Sequence, residues 1–147
     1  MKPRIGRTSK GRSSAQRGAS VALGNFDGVH VGHRHLFHLA SQSVDGGRVV
    51  AVTFEPLPAA VLRPERPMGR LTPAAERRAL LRDLCGVAEV VELEPTLELL
   101  GRSPEGFVAE LRRRVPFDAI VEGPDFRFGK ARAGGLDTLR ALGALHG

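Results

Sequence analysis

Four of the five histidines in this 147-residue chain lie within nine positions, in the stretch VALGNFDGVHVGHRHLFHLA at residues 21–40. His30 and His33 are three residues apart and are expected at the beginning of a helix. Imidazoles beside the free backbone N–H groups of a first helical turn suit a bound phosphate. Two other interpretations stay open at this point: a zinc site, for which no third ligand of suitable spacing is evident, and histidines with packing or surface roles only.

Three glycines accompany these histidines. Gly24, Gly28 and Gly32 leave space for phosphate oxygens to approach the main chain closely. Phosphoryl and nucleotidyl transfer depend on donors that stabilise charge on the phosphate oxygens, and they need no protein nucleophile. Two imidazoles and a helix N-terminus supply such donors, so the stretch predicts a site for phosphate transfer.

Alternating strands and helices are predicted to position this stretch. Strands are predicted over 20–26, 49–56, 87–94 and 117–123, and helices over 28–44, 71–86, 103–115 and 134–147. The second of these helices is expected to have Thr72 as its N-cap and Pro73 as its first residue, and residues 56–70 are expected to form an irregular loop. This alternation predicts an α/β fold with a Rossmann-like parallel sheet. The carboxyl ends of the strands then share one edge, where ligands bind.

Length and composition limit the class of protein. A chain of 147 residues with 41% hydrophobic content predicts one globular domain. No apolar run approaches the roughly 20 residues of a membrane span. The single cysteine, Cys85, excludes an internal disulfide and a multi-cysteine zinc site, and it favours a cytoplasmic protein.

The net charge of +6 arises at the N-terminus. Residues 1–18 contain six of the 22 Lys and Arg residues and none of the 16 Asp and Glu residues, so the rest of the chain has no net charge. This segment, rich in Ser, Gly and Arg, predicts a disordered basic tail. The charge distribution disfavours nucleic-acid binding by the domain and leaves weak RNA contact as an alternative role for the tail.

Four motifs resemble those of one enzyme family. The stretch GNFDGVHVGH (24–33) resembles the (H/T)xGH signature of nucleotidyltransferases, in the form typical of bacterial FAD synthetases. TFEPLP (53–58), RLTPAAERRALL (70–81) and GPDFRFGKARAGG (123–135) resemble further stretches of the same family and occur in its order. A lone HxGH motif would be weak evidence for the family, whereas four motifs in the family's order are specific evidence. Cytidylyltransferases and pantetheine-phosphate adenylyltransferases, other members of the superfamily, are disfavoured because they have no flavin for the last motif to hold.

The resemblance implies transfer of AMP from ATP to FMN, giving FAD and pyrophosphate with Mg²⁺, in a fold of the HxGH nucleotidyltransferase type. His30, His33 and Asp27 would be catalytic, and the two histidines would contact the ATP phosphates. The other implied contacts are to the nucleotide (Gly24, Asn25, Phe26 and Gly32) and to the flavin (Phe54, Pro56, Pro58, Asp125, Phe126, Arg127 and Phe128). Aromatic faces with an Arg and an Asp suit a flat ring with a polar rim; a core role for the last two phenylalanines is the alternative. No protein ligand to a metal is implied, because Mg²⁺ usually keeps several waters.

The resemblance covers only the first part of such an enzyme. Family members continue into a Ser/Thr-rich segment ending in an Arg that contacts ATP, into further elements of the sheet, and usually into a riboflavin kinase domain. We therefore expect residues 1–18 to be the tail and residues 19–147 to be a partial FMN adenylyltransferase-like domain, with no kinase domain and a sheet incomplete at its C-terminus. The open sheet edge predicts marginal stability or a second chain that covers it. A non-catalytic module that binds flavin or adenine nucleotide is the alternative function.

Overall fold

The computed structural model describes residues 18–146, which form strands and helices in alternation. The strands are β1 (Ala19–Leu23), β2 (Arg48–Phe54), β3 (Glu89–Leu93) and β4 (Ala119–Ile120). The helices are α1 (Val31–Ser43), α2 (Pro58–Leu62), α3 (Ala74–Cys85), α4 (Leu97–Leu100), α5 (Pro104–Arg114) and α6 (Leu136–His146), with a short 3-10 helix at Lys130–Arg132. Among these residues, no helix has the length and apolar character needed to cross a membrane.

The four strands form one parallel sheet in the order β3-β2-β1-β4. Val21 of β1 lies opposite Val50 of β2 on one side and Ile120 of β4 on the other. The predicted parallel α/β fold is confirmed. Because the chain runs outward from β1 to β2 and β3 and then returns to its other side, the order reverses between β1 and β4. Crevices that bind ligands in such sheets open at this reversal.

Helices cover both faces of the sheet, so β1 and β2 are buried on both sides. On one face, Phe37 of α1 and Leu81 of α3 pack on Ala22 and Ala51. The other face has a larger cluster, in which residues of β1, β2 and β3 meet α4, α5 and α6: Val21, Leu23, Val50, Val52, Leu93, Leu99, Phe107, Leu111 and Leu139. Such strands carry apolar residues in succession, which is the pattern that predicted them.

Several sequence-based boundaries were wrong. Strand β1 ends at Leu23 where residue 26 was predicted, and α1 begins at Val31 where residue 28 was predicted. Helix α3 begins at Ala74 with Pro73 as its N-cap, because the Thr72 side chain is engaged in contacts with the preceding turn. Strand β4 has two residues where seven were predicted, and the carboxyl side chain of Glu122 takes its next hydrogen bond. The loop predicted at 56–70 contains the short helix α2, which begins at Pro58.

The predicted tail lies outside the described residues, except for Gly18. The Gly18 carbonyl accepts a hydrogen bond from the Arg48 amide at 3.1 Å. The pairing of β1 with β2 therefore starts at this residue.

Candidate active site

Hydrogen bonds join the carboxyl ends of neighbouring strands at one edge of the sheet. The Gly24 amide donates to the Val52 carbonyl at 3.1 Å, and the Glu55 amide donates to the Leu93 carbonyl at 3.0 Å. On the other side of β1, the Leu23 amide donates to the Glu122 carboxyl. The loops that carry the sequence motifs therefore leave the sheet side by side, as the parallel arrangement predicts.

The turn from β1 into α1, residues 24–30, is held in an uncommon backbone conformation. Phe26, Gly28 and Val29 have φ values of 48°, 77° and 43°, a region that non-glycine residues seldom occupy. The side chains of Phe26 and Val29 are nevertheless buried in the core, at 2% and 4% exposure. Burial of these two side chains fixes the turn and leaves its main chain, with the exposed Asn25, towards the sheet edge.

His30 and His33 lie together at the beginning of α1. His30 is the N-cap residue and is exposed, and its ring stacks on that of His33 with centroids 3.5 Å apart and planes at 21°. A Cβ atom at Gly32 would lie 3.1 Å from Cε1 of His30. Glycine at the middle of the motif therefore leaves space for the His30 ring.

The environment of His33 favours its neutral form. Its ring packs edge-on against Phe26, with centroids 5.2 Å apart, and its Nδ1 is buried without a hydrogen-bond partner. Burial and the neighbouring His30 lower the pKa of His33 to about 4, and the nearby Asp27 opposes this shift. A neutral imidazole can donate one hydrogen bond, so with its proton on Nε2 His33 can bind a phosphate oxygen.

Asp27 ties the turn to the segment that leads into α3. Its carboxylate accepts hydrogen bonds from the amides of Leu71 and Thr72, the shortest at 2.9 Å each, and from the Thr72 hydroxyl at 3.0 Å. Thr72 Oγ1 in turn accepts from the Gly28 amide at 3.1 Å. These hydrogen bonds, chiefly the one from the Leu71 amide, lower the pKa of Asp27. The carboxylate therefore accepts hydrogen bonds from other parts of the protein. Its predicted catalytic role stays a prediction.

Sequence reasoning missed Arg77, whose side chain is fully buried beneath these loops. Its guanidinium donates to the Asn25 carbonyl at 3.1 Å, to the Phe54 carbonyl at 3.4 Å and to Glu55 at 3.2 Å. The charged pair Arg77 and Arg78 resembles a solvated helix face. The available signal was spacing, since Arg77 precedes the buried Leu81 by one helical turn.

Glu55, at the end of β2, connects Arg77 to the loop before α3. Its two carboxylate oxygens accept hydrogen bonds from Arg70 at 2.7 and 2.8 Å. The hydrogen bond from Arg70 is the main cause of a lowered pKa at Glu55. Together with Asp27 and Arg77, this pair fixes residues 70–72 beside the first turn.

The predicted flavin loop is anchored by its backbone. Phe128 pairs with Gly134 through two hydrogen bonds, and the Lys130 amide donates to the Arg102 carbonyl at 2.7 Å. The Phe128 ring is buried at 7% exposure and stacks on Phe126, with centroids 5.5 Å apart and planes at 16°. Phe128 thus has the core placement that was the alternative interpretation, while Phe126 remains partly exposed.

Of the other predicted flavin contacts, Asp125 and Arg127 are sequence neighbours of the two rings, and Phe54 packs against the same apolar cluster. Phe54 is partly exposed and packs on the same apolar cluster as Phe126. Asp125 and Arg127 are exposed, as is Pro56, and Pro58 begins α2. Partly exposed aromatic rings with charged neighbours can hold a flat heterocycle.

Comparison with known proteins identifies the family. The sequence model described as FAD synthetase matches residues 12–147. This chain belongs to the FAD synthetase family. It is 34% identical over 128 residues to the FAD synthetase of Listeria monocytogenes, covering 86% of this chain and 52% of that protein. It is 33% identical over 139 residues to the bifunctional riboflavin kinase/FMN adenylyltransferase of Escherichia coli K12, covering 90% of this chain and 43% of that protein.

The chain spans about half the length of these curated relatives. A solved structure named macrolide-efflux protein, from Streptococcus pneumoniae, superposes with a TM-score of 0.73 at 27% identity. The superposition covers 85% of this chain and 42% of that one. The α/β fold of this chain is therefore shared with a solved structure over most of its length.

Proposed function

We propose that the chain carries the adenylyltransferase site of a FAD synthetase, which transfers AMP from ATP to FMN and releases pyrophosphate. The observation that carries this proposal is the stacked pair His30 and His33 at the N-terminus of α1, at the edge where the strand order reverses. Helix N-terminal amides and imidazole N–H donors suit phosphate groups. Membership in the family supports ATP and FMN as the substrates. The proposed location is the cytoplasm.

The proposed chemistry needs orientation and charge stabilisation from the protein. A phosphate oxygen of FMN attacks the α-phosphorus of ATP, and the bond from that phosphorus to the bridging oxygen breaks as pyrophosphate leaves. His33 would donate from Nε2 to a phosphate oxygen, with His30 as its neighbouring donor. The main chain of Gly24, Asn25 and Gly32 would lie against the nucleotide. Donors of this kind stabilise the charge that develops as the bond to pyrophosphate breaks.

Asp27 is proposed as a positioning residue of this site. Its carboxylate oxygens accept hydrogen bonds from Leu71 and Thr72, which holds the turn rather than the substrate. At the flavin end, Phe54 and Phe126 would supply ring faces, with Asp125 and Arg127 at the polar rim. Phe26 and Phe128 would support these loops from the core, and Pro56 and Pro58 would shape the loop after β2.

Mg²⁺ is proposed as the accompanying cation. Within residues 18–146, no group of three or more His, Cys, Asp or Glu side chains is arranged to hold a metal ion. The phosphate oxygens of ATP and water would therefore be the principal ligands, which is the coordination that Mg²⁺ favours. When bound, the ion would neutralise part of the triphosphate charge.

The test is FAD formation by the purified 147-residue chain. The chain is incubated with FMN, ATP and MgCl₂, and FAD is measured by chromatography. His33→Ala is expected to lower the rate roughly 100-fold, the cost of removing one charge-stabilising donor. His35→Ala, at an exposed position of the same helix, is expected to leave the rate unchanged.

If no FAD forms, binding measurements separate the two proposed functions, the adenylyltransferase and the non-catalytic module. Binding of ATP or FMN by calorimetry, without turnover, would support the non-catalytic nucleotide-binding module instead. The observation that favours this second candidate is that the carboxylate of Asp27, predicted to be catalytic, is engaged in hydrogen bonds within the protein. The absence of both turnover and binding would contradict both proposed functions.

A further inference from the structure

A side chain replaces the last main-chain acceptor in the pairing between β1 and β4. The Val121 amide donates to the Val21 carbonyl at 2.9 Å. Continued in the same register, the Leu23 amide would donate to the main-chain carbonyl of Val121. It donates instead to Oε1 of Glu122. The carboxyl group of Glu122 therefore takes the place of the next main-chain acceptor, and β4 ends at Ile120.

This hydrogen bond lies at the entrance to the proposed nucleotide turn. Leu23 is the last residue of β1 and immediately precedes Gly24. On the opposite side, the Gly24 amide is held by the Val52 carbonyl of β2. The start of the turn is thus fixed from β2 by a main-chain bond and from the β4 side by the carboxyl of Glu122. It is also the position at which the strand order reverses.

The surroundings of Glu122 are mostly apolar. Glu122 lines a groove of about 410 Å³ whose walls include Val108 of α5 and Leu139 of α6. On the α1 side, the neighbouring Val121 packs on the cluster that contains Phe37. Burial raises the pKa of Glu122 to about 8, and the hydrogen bond from the Leu23 amide opposes this shift.

Three other charged side chains line the groove, one from each element around it. Arg112 of α5 lies over the Phe117 ring at 5.7 Å. Arg140 of α6 pairs with Asp137 at 2.8 Å. Asp118, before β4, accepts a hydrogen bond from the Ala19 amide at 3.1 Å. The two cations thus have contacts of their own.

We propose that Glu122 is a positioning residue of the nucleotide site, whose side-chain oxygen holds the end of β1 by accepting the hydrogen bond of the Leu23 amide. A buried backbone amide that is left without an acceptor is costly. Without the Glu122 oxygen, the turn at Gly24 would lose its anchor on the β4 side. The inference rests on the proposed function, because the turn matters for binding only if ATP binds there.

The experiment measures the affinity of the full chain for ATP with Mg²⁺ by calorimetry, in the parent and in two variants of Glu122. Glu122→Gln keeps an oxygen that can accept from the Leu23 amide and is expected to bind ATP like the parent. Glu122→Met removes the acceptor and is expected to bind ATP roughly 10-fold more weakly. Glu98→Met removes a carboxylate that is 80% exposed and is expected to follow the parent.

Equal affinity in the parent and in Glu122→Met would overturn the inference. A readout without ligand separates this failure from failure of the proposed function. Hydrogen exchange of the Leu23 amide is expected to be faster in Glu122→Met than in the parent and in Glu122→Gln. If ATP binds to none of these chains, the proposed function fails, and this exchange measurement alone decides whether the side chain holds the strand end. Equal exchange in all three chains would show that it does not.

Discussion

His33 combines two environments that act on one imidazole in the same direction. The Phe26 ring and the core remove water from one side, and His30 stacks on the other. A protonated His33 would bind an anion more strongly by charge, but here the proton is given up well below neutral pH. In the folded chain, His33 is therefore a neutral hydrogen-bond donor near neutral pH.

This environment predicts a pH dependence of stability. Because the pKa of His33 falls from 6.5 to about 4 on folding, the unfolded chain binds more protons between these values. The free energy of unfolding should therefore decrease as the pH falls from 6.5 towards 4. Urea unfolding of His33→Gln should show a shallower decrease than the parent, with His35→Gln as the matched variant on the same helix. Identical slopes in the parent and His33→Gln would contradict the buried, neutral state.

Asp27 gives a second prediction at this scale. Asp27→Ala removes the acceptor of the Leu71 and Thr72 amides and is expected to cost about 1–2 kcal/mol of unfolding free energy. Asp27→Asn keeps one oxygen for these amides and is expected to cost less. If Asp27 positions the turn, Asn should retain most FAD formation, and Ala should raise the KM for ATP more than it lowers kcat. Loss of kcat in Asp27→Asn, with KM unchanged, would show instead that the charge itself is catalytic.

The sequence predicted side chains whose partners are close along the chain. His30 and His33 were recognisable because their spacing within one helical turn sets their proximity. Arg77 and Glu122 were not, because their partners Asn25 and Leu23 are 52 and 99 residues away. The role of such residues depends on which strands become neighbours, and the local amino-acid composition does not predict the strand order.

At the scale of elements, the buried guanidinium of Arg77 anchors helix α3 to the edge of the sheet. Arg77 reaches the Asn25 carbonyl, in the turn after β1, and the Phe54 carbonyl, at the end of β2, and its guanidinium lies 3.7 Å from the Glu92 carboxylate of β3. One guanidinium thus contacts two strands and the turn that follows a third. Helix α3 positions the site through this side chain as well as through apolar packing of Leu81.

Arg77→Met tests this fastening. It leaves the carbonyls of Asn25 and Phe54 without their donor and should lower the unfolding free energy by about 2–4 kcal/mol. Arg78→Met is the matched variant, because Arg78 is 38% exposed and pairs with Glu92 at 2.9 Å; it should cost less than about 1 kcal/mol. Urea denaturation measures both. Equal costs would mean that Arg77 contributes no more than a surface ion pair.

Element boundaries were predicted well where a local signal sets them. Ser103 caps α5 through the Gly106 amide, with Pro104 following, and Gly86 ends α3 with a φ of 63°. The start of α3 was misplaced because the Thr72 hydroxyl bonds to Asp27 and Gly28 instead of to its own helix. Tertiary contacts therefore displaced a capping pattern that is ordinarily reliable.

At the scale of the molecule, the parallel sheet and the shared edge of its loops were predictable from alternation. The strand order was not, because alternation fixes direction and leaves the neighbours undetermined. The observed order places β4 beside β1 at the end of the sheet. Beside it lies the apolar groove that α5 and α6 help to line, and the open edge that the sequence predicts stays a prediction.

The buried side chains of Phe26 and Val29 have a consequence for how a ligand meets the turn. They commit the backbone to its uncommon conformation as the core forms, before any nucleotide arrives. Ordering one backbone residue costs about 1–2 kcal/mol, and here that loss of conformational entropy accompanies folding instead of association. A ligand at this turn encounters a preorganised surface, so the favourable contacts that it makes there appear almost undiminished in its affinity.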